Sequence, residues 1–214
     1  ILSFVLALTL CGALAGCGAG KSAPAASSGA DAAAAEPVEL TVFAAASMTE
    51  TLNKIADLYK KEAPNVTLTY NFDSSGTLKT QIREGAVCDV FLSAGQKQMD
   101  QLDASADPAV NTEGLDFVLD SSRCDLLENK VVLIVPEGSD KGITSFGDMD
   151  TDKVSKIALG GADVPVGQYS QEILQSLGLW DGLNNAGKIT FGTNVKEVVS
   201  QVEAAAVDRG VVYK

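Results

Sequence analysis

Between Val38 and Leu102 the chain alternates strand-like and helix-like segments: Val38 to Phe43, Ser47 to Glu62, Val66 to Phe72, Gly76 to Glu84, Asp89 to Ser93 and Gln96 to Leu102. Such a βαβαβα path leads to an α/β sheet, because parallel strands need a crossover long enough to hold a helix. The first helix shows its apolar face at Met48, Leu52, Ile55 and Tyr59, a spacing that fits a period of 3.6, and Pro64 lies just beyond its end. A turn-rich stretch from Ala104 to Asp125 interrupts the pattern. After it, Lys130 to Pro136 (KVVLIVP) is a continuous apolar run of the kind that a strand buried on both faces needs. Alternation then resumes with a strand at Lys156 to Leu159, a helix from about Gln168 to Leu177, a strand at Lys188 to Phe191, a helix from Val195 to Val207 and a strand at Gly210 to Tyr213. The expected architecture is two α/β lobes, residues 38–128 and 129–214, with no internal sequence repeat.

The N-terminal part has a different character. Ile1 to Leu10 are almost wholly apolar and lead into Leu14-Ala15-Gly16-Cys17, a small-residue cleavage site that ends in cysteine. Residues 1–16 read as a lipoprotein signal peptide, since the apolar run falls short of the roughly 20 residues that span a bilayer. The site resembles the bacterial lipobox. That likeness implies a lipid on Cys17, loss of Cys11, and a protein held outside the cytoplasm on the cell membrane. The initiator methionine and basic flank of such peptides are missing, so a fragment is expected at this end. From Cys17 to Pro37, 17 of 21 residues are Gly, Ala, Ser or Pro, the composition of a flexible tether.

Charge and residue usage remove several function classes. With 46% hydrophobic side chains, the 214 residues suffice for a sizeable core. Sixteen basic residues against 28 acidic give a net charge of −12, which repels nucleic acid and anionic lipid surfaces. The chain has no histidine, which excludes Ser-His-Asp and Cys-His catalysis and the HExxH zinc site. The four cysteines show neither CxxC nor zinc-ligand spacing, and no cofactor or protein-bound cation is expected. Cys88 and Cys124 are open to two readings, a disulfide or two small buried side chains.

The candidate binding residues fall where strands hand over to helices, the place where open α/β sheets hold ligands. Ser47 follows the first strand and has Glu50 three residues on, the spacing of a capping box. It either caps its helix or helps a helix N-terminus hold an anion. Ser74-Ser75-Gly76-Thr77 repeats the arrangement after the second strand, with Gly76 permitting close backbone approach. Val164-Pro165-Val166-Gly167 opens a helix, and Gly167 is expected to leave backbone N–H groups bare. Asn194-Val195-Lys196-Glu197 forms a further capping box, exposing the N–H groups of Val195 and Lys196. Tyr213 ends the last strand as a phenol donor or as a buried structural tyrosine. Neutral donors of this kind can hold a dianion although the protein is acidic overall.

From Glu39 to Lys214 these motifs, in this order, resemble the molybdate-binding proteins of ABC importers, within the type II periplasmic-binding-protein fold. VFAAASMTE (Val42 to Glu50) is similar to the first ligand loop of that family, and FDSSGTLKTQI (Phe72 to Ile82) to the second. CDVFLSAGQKQMD (Cys88 to Asp100) resembles a segment that is mainly structural. VPVGQY, NVKEVV and GVVYK resemble the remaining contact segments, although Gly160 to Asp163 looks one residue shorter than the common loop and lacks its proline. The resemblance implies contacts to the oxyanion from Ser47, Ser75, the amides of Val166 and Val195, and Tyr213. It also implies a two-lobed clamp with molybdate or tungstate in the cleft, a permease as partner, a monomer, and no catalysis. A segment beyond Lys214 would return to the first lobe, so the C-terminal part of the fold is expected to be missing here. The alternatives are a binder of another oxyanion such as sulfate, and a serine hydrolase using Ser47 or Ser75, for which no SxxK or GxSxG arrangement is present.

Overall fold

A computed structural model describes residues 35–214. The signal peptide, Cys17 and nearly all of the tether lie outside the described residues. The first half contains β1 (Val38–Ala45), α1 (Thr49–Glu62), β2 (Val66–Asp73), α2 (Ser75–Arg83), β3 (Val90–Leu92) and α3 (Gln96–Asp100). After a long segment without regular structure come β4 (Val131–Ile134), β5 (Ile157–Gly160), α4 (Pro165–Ser176), α5 (Trp180–Asn185), β6 (Ile189–Gly192), α6 (Val195–Glu203) and β7 (Arg209–Tyr213).

The strands form two sheets. The first has the order β2-β1-β3 and is parallel throughout, with Val38 opposite Val66 and Val42 opposite Val90. The second has the order β4-β7-β5-β6, parallel except for the antiparallel pair β4 and β7, in which Val131 faces Tyr213. In each sheet the path runs outward to one side of a central strand and then returns on its other side: β1 to β2 to β3 in the first, β5 to β6 to β7 in the second. Each sheet thus has a topological switch point at the carboxyl end of its central strand, where α/β folds open a crevice.

Each sheet has its own apolar core. Leu78 and Ile82, one turn apart on α2, pack with Phe43 of β1 and with Leu102. The second core is larger and gathers Ile157, Leu159, Val166, Leu174, Val198, Val202 and Val211, with Ala46 of the first half joining it. This mixing means that the two halves touch at the end of β1.

Three expectations need correction. The KVVLIVP run is not a strand buried on both faces: β4 is an edge strand, and all four of its residues are only half-buried. An apolar run cannot by itself distinguish a central position from an edge. The apolar stripe of α1 has the spacing of a core face, yet the helix buries none of its residues, and Ile55 and Tyr59 remain 46% and 40% exposed. Its neighbours are β2 and the turn before it, which cover the stripe only in part. Among the described residues Cys88 and Cys124 are both free, and only Cys88 is partly buried, with Cys124 exposed. A 3-10 turn at Phe146–Asp150, capped reciprocally by Ser145 and Asp148, and the short α5 add to the expected elements.

Candidate functional site

The carboxyl ends of β1, β2, β6 and β7 converge on one pocket, lined among others by Ala46, Ser47, Ser75, Val164, Val195 and Tyr213. Four of the five expected contact residues therefore share a wall. The exception is Val166. Its side chain is fully buried in the second core, and it is the preceding Val164 and Pro165 that line the pocket. Its N–H is nevertheless at the second position of α4, directly after Pro165, and makes no hydrogen bond among the described residues. The free space is small, on the order of one water molecule.

Local structure explains which donors are free. Ser74, not Ser75, caps α2: its Oγ accepts from the Thr77 N–H at 3.1 Å. Ser75 is thereby released from capping. It is fully buried, and its Oγ accepts the Ala94 N–H at 2.9 Å, so one lone pair is taken and the O–H remains to be donated. Asn194 caps α6, its Oδ1 accepting from Lys196 N–H at 3.0 Å and Glu197 N–H at 3.2 Å, but the box is not closed, because Glu197 Oε2 accepts from the Thr193 N–H at 2.7 Å and not from that of Asn194. The Lys196 amide is therefore not free, while Val195 N–H has no partner among the described residues. The Tyr213 hydroxyl is buried with no hydrogen-bond partner. Burial, with a smaller contribution from Tyr169, pushes this phenol well above the usual tyrosine range, so it stays protonated and able to donate.

Two readings of single residues change. Ser47 does not form a capping box. It sits exposed in a 3-10 turn, Ala46–Met48, that precedes α1, and neither helical segment has a side-chain cap. The turn moves the start of α1 two residues past Ser47, out of register with Glu50, and leaves the serine on the pocket wall. Gly167 does not leave its amide bare, since its N–H donates to the Val164 carbonyl at 2.8 Å. The glycine instead permits a tight β5-to-α4 turn: a Cβ there would lie 2.1 Å from the Gly160 carbonyl oxygen. Ala94 was not singled out by the sequence. It lies in a segment read as structural, and no side-chain signal marks a residue that acts through its backbone N–H.

Among the described residues no charged side chain lines the pocket. A larger depression beside α3 contains Arg123, but that guanidinium is paired with Asp100 at 2.7 Å and Asp103 at 3.1 Å, and Asp120 and Asp125 add further negative charge. An anion finds no free cation there. Among the described residues no group of three or more His, Cys, Asp or Glu is placed to hold a metal ion, and no helix is long and apolar enough to cross a membrane.

The model of the family described as bacterial extracellular solute-binding protein matches residues 40–214. The chain belongs to this family. YvgL of Bacillus subtilis, provisionally named an ABC transporter substrate-binding lipoprotein, is 37% identical over 99% of this chain and 73% of its own length. The molybdate-binding protein ModA of Haemophilus influenzae is 34% identical, over 84% of this chain and 67% of its own. Among solved structures, the periplasmic molybdate-binding protein of Azotobacter vinelandii is 28% identical and superposes with a TM-score of 0.67, over 81% of this chain and 71% of that one. The solute-binding chain thus has the type II periplasmic-binding-protein fold, with the pocket where the strand ends of its two sheets meet.

Proposed function

We propose that the chain captures molybdate, and tungstate with it, outside the cytoplasm and delivers it unchanged to the permease of an ABC importer. The observation that carries this reading is the pocket wall, whose donors are all neutral: the hydroxyls of Ser47, Ser75 and Tyr213 and the amide of Val195, with the Val166 amide next along α4 after Pro165. A dianion placed there meets the positive ends of α4 and α6 and a phenol that burial keeps protonated. Backbone amides have no lone pair to accept a proton, so an oxyanion that carries one is disfavoured, and the size of the cavity does the remaining selection. The relatives named for molybdate support this choice of anion.

Among the described residues none of the three pocket serines, Ser47, Ser74 and Ser75, has a carboxylate or amine beside it on the pocket wall, which supports capture without bond cleavage. Because the free space is so small, entry requires the sheets to part. In this reading residues 38–128 and 129–214 act as two lobes that open, take the anion and close on it. Residues 1–16 act as a signal peptide, Cys17 carries the lipid, residues 17–37 tether a monomer to the membrane, and the permease is its partner.

A thermal-shift panel tests the assignment. Molybdate and tungstate should each raise the melting temperature, through a stabilisation that grows with ligand concentration and reaches about 2.7 kcal/mol at a hundredfold excess over Kd. Sulfate and phosphate should leave it nearly unchanged. A response to sulfate equal to that of molybdate would reassign the ligand.

A further inference from the structure

The two halves also meet beside the pocket, through residues that hold no ligand in the reading above. The Gly76 N–H, one residue after Ser75, donates to the Asp163 carbonyl at 3.1 Å. A Cβ on Gly76 would lie 2.1 Å from that oxygen and 2.8 Å from the Asp163 Cβ. The close approach that glycine permits here is thus to the other half of the protein. A Cβ on Gly95, the residue before α3, would likewise stand 3.0 Å from the Pro165 Cβ. Deeper in the same contact, Gln98 Nε2 donates to Gln168 Oε1 at 3.2 Å, with Gln98 only 2% exposed. Residues 163–168 therefore rest on a seat made by Gly76, Gly95 and Gln98.

We infer that Gly76 sets the distance to which the two halves close, and with it the size of the cavity and the choice of anion, while the Gln98–Gln168 pair latches the closed form. The inference rests on the proposed molybdate reading for its ligand, but the seat itself is a matter of contact geometry. The chain path explains the leverage. Gly76 follows the donor Ser75, and Asp163 lies three residues before Val166, so their hydrogen bond ties one donor set to the other. A methyl group at position 76 must push the loop away by about 1 Å to reach an ordinary contact, and a donor-to-oxygen distance stretched by that much is no longer a hydrogen bond. Gly76 and Gln98 are positioning residues. They act through Ser75 and the loop at 163–166.

Gly76→Ala separates this role from a merely structural one. Gly76 lies within α2 without a positive φ, so the helix itself accepts alanine, and any fall in the melting temperature of the unliganded protein comes from the contact with Asp163, where backbone must move. Titration calorimetry with sodium molybdate and sodium sulfate, together with hydrogen exchange of residues 161–168 in the unliganded protein, reads the effect. We expect Gly76→Ala to weaken molybdate binding about tenfold or more, to narrow its preference over sulfate, and to speed exchange in that loop. Gln98→Ala should speed exchange there and weaken both anions alike. Unchanged exchange in both variants overturns the inference, as does an unchanged molybdate-to-sulfate ratio in Gly76→Ala. If the unsubstituted protein ignores molybdate, the functional reading fails, and faster exchange in the two variants still supports the seat.

Discussion

Tyr213 has a buried hydroxyl with no partner among the described residues, so its removal should act on the loaded state and hardly on the empty one. Parting of the sheets gives this hydroxyl to water, so Tyr213→Phe should leave the melting temperature of the unliganded protein nearly unchanged. The same change should weaken molybdate binding by about 1–3 kcal/mol, because a donor to a charged ligand is lost. Ser75→Ala should behave differently, lowering both stability and affinity, since it leaves the Ala94 N–H unpaired. Burial raises the pKa of the Tyr213 phenol, so the neutral donor persists as pH rises, and titrations between about pH 6 and 9 should show no loss of affinity from this group. Arg209 poses a related problem away from the pocket. It is 2% exposed and donates one bond, to the Ile143 carbonyl at 2.8 Å, while Nε and Nη1 have no partner. Burial lowers its pKa, and Asp208 and Asp148 oppose that shift. Arg209→Met should be neutral or stabilising in thermal denaturation, by up to about 3 kcal/mol. A marked loss would mean that a buried anion or water satisfies the guanidinium.

At the scale of elements, helix N-termini decide which amides are free, and their caps were only partly legible. Asn194 could be read because an asparagine with a glutamate three residues on has one dominant local use, and it does cap α6. Asn194→Ala should cost about 1 kcal/mol of stability and also weaken anion binding, since the Val195 amide loses the turn that aims it; paired denaturation and calorimetry would show both. Ser47 had the same spacing and failed, because a 3-10 turn was inserted before α1 and spacing cannot report such a turn. The partial burial of β4 and α1 is not legible in the sequence for a different reason. Periodicity reports which face of an element is apolar, whereas coverage depends on the neighbours that the topology supplies. The alternation of strands and helices survived in both halves, and with it the placement of Ser47, Ser75, Val195 and Tyr213 at strand ends.

For the molecule as a whole, the two sheets bring their carboxyl ends together, and a chain of net charge −12 thereby acquires a pocket that no charged side chain among the described residues lines. Selectivity then has to come from donor geometry and from how far the halves close. Calorimetric titration of the protein with molybdate in the presence and absence of excess sulfate at neutral pH tests this most directly. One tight molybdate site per chain is expected, with an apparent affinity that sulfate barely changes. Sulfate that competes on equal terms, or molybdate that fails to bind, would contradict it.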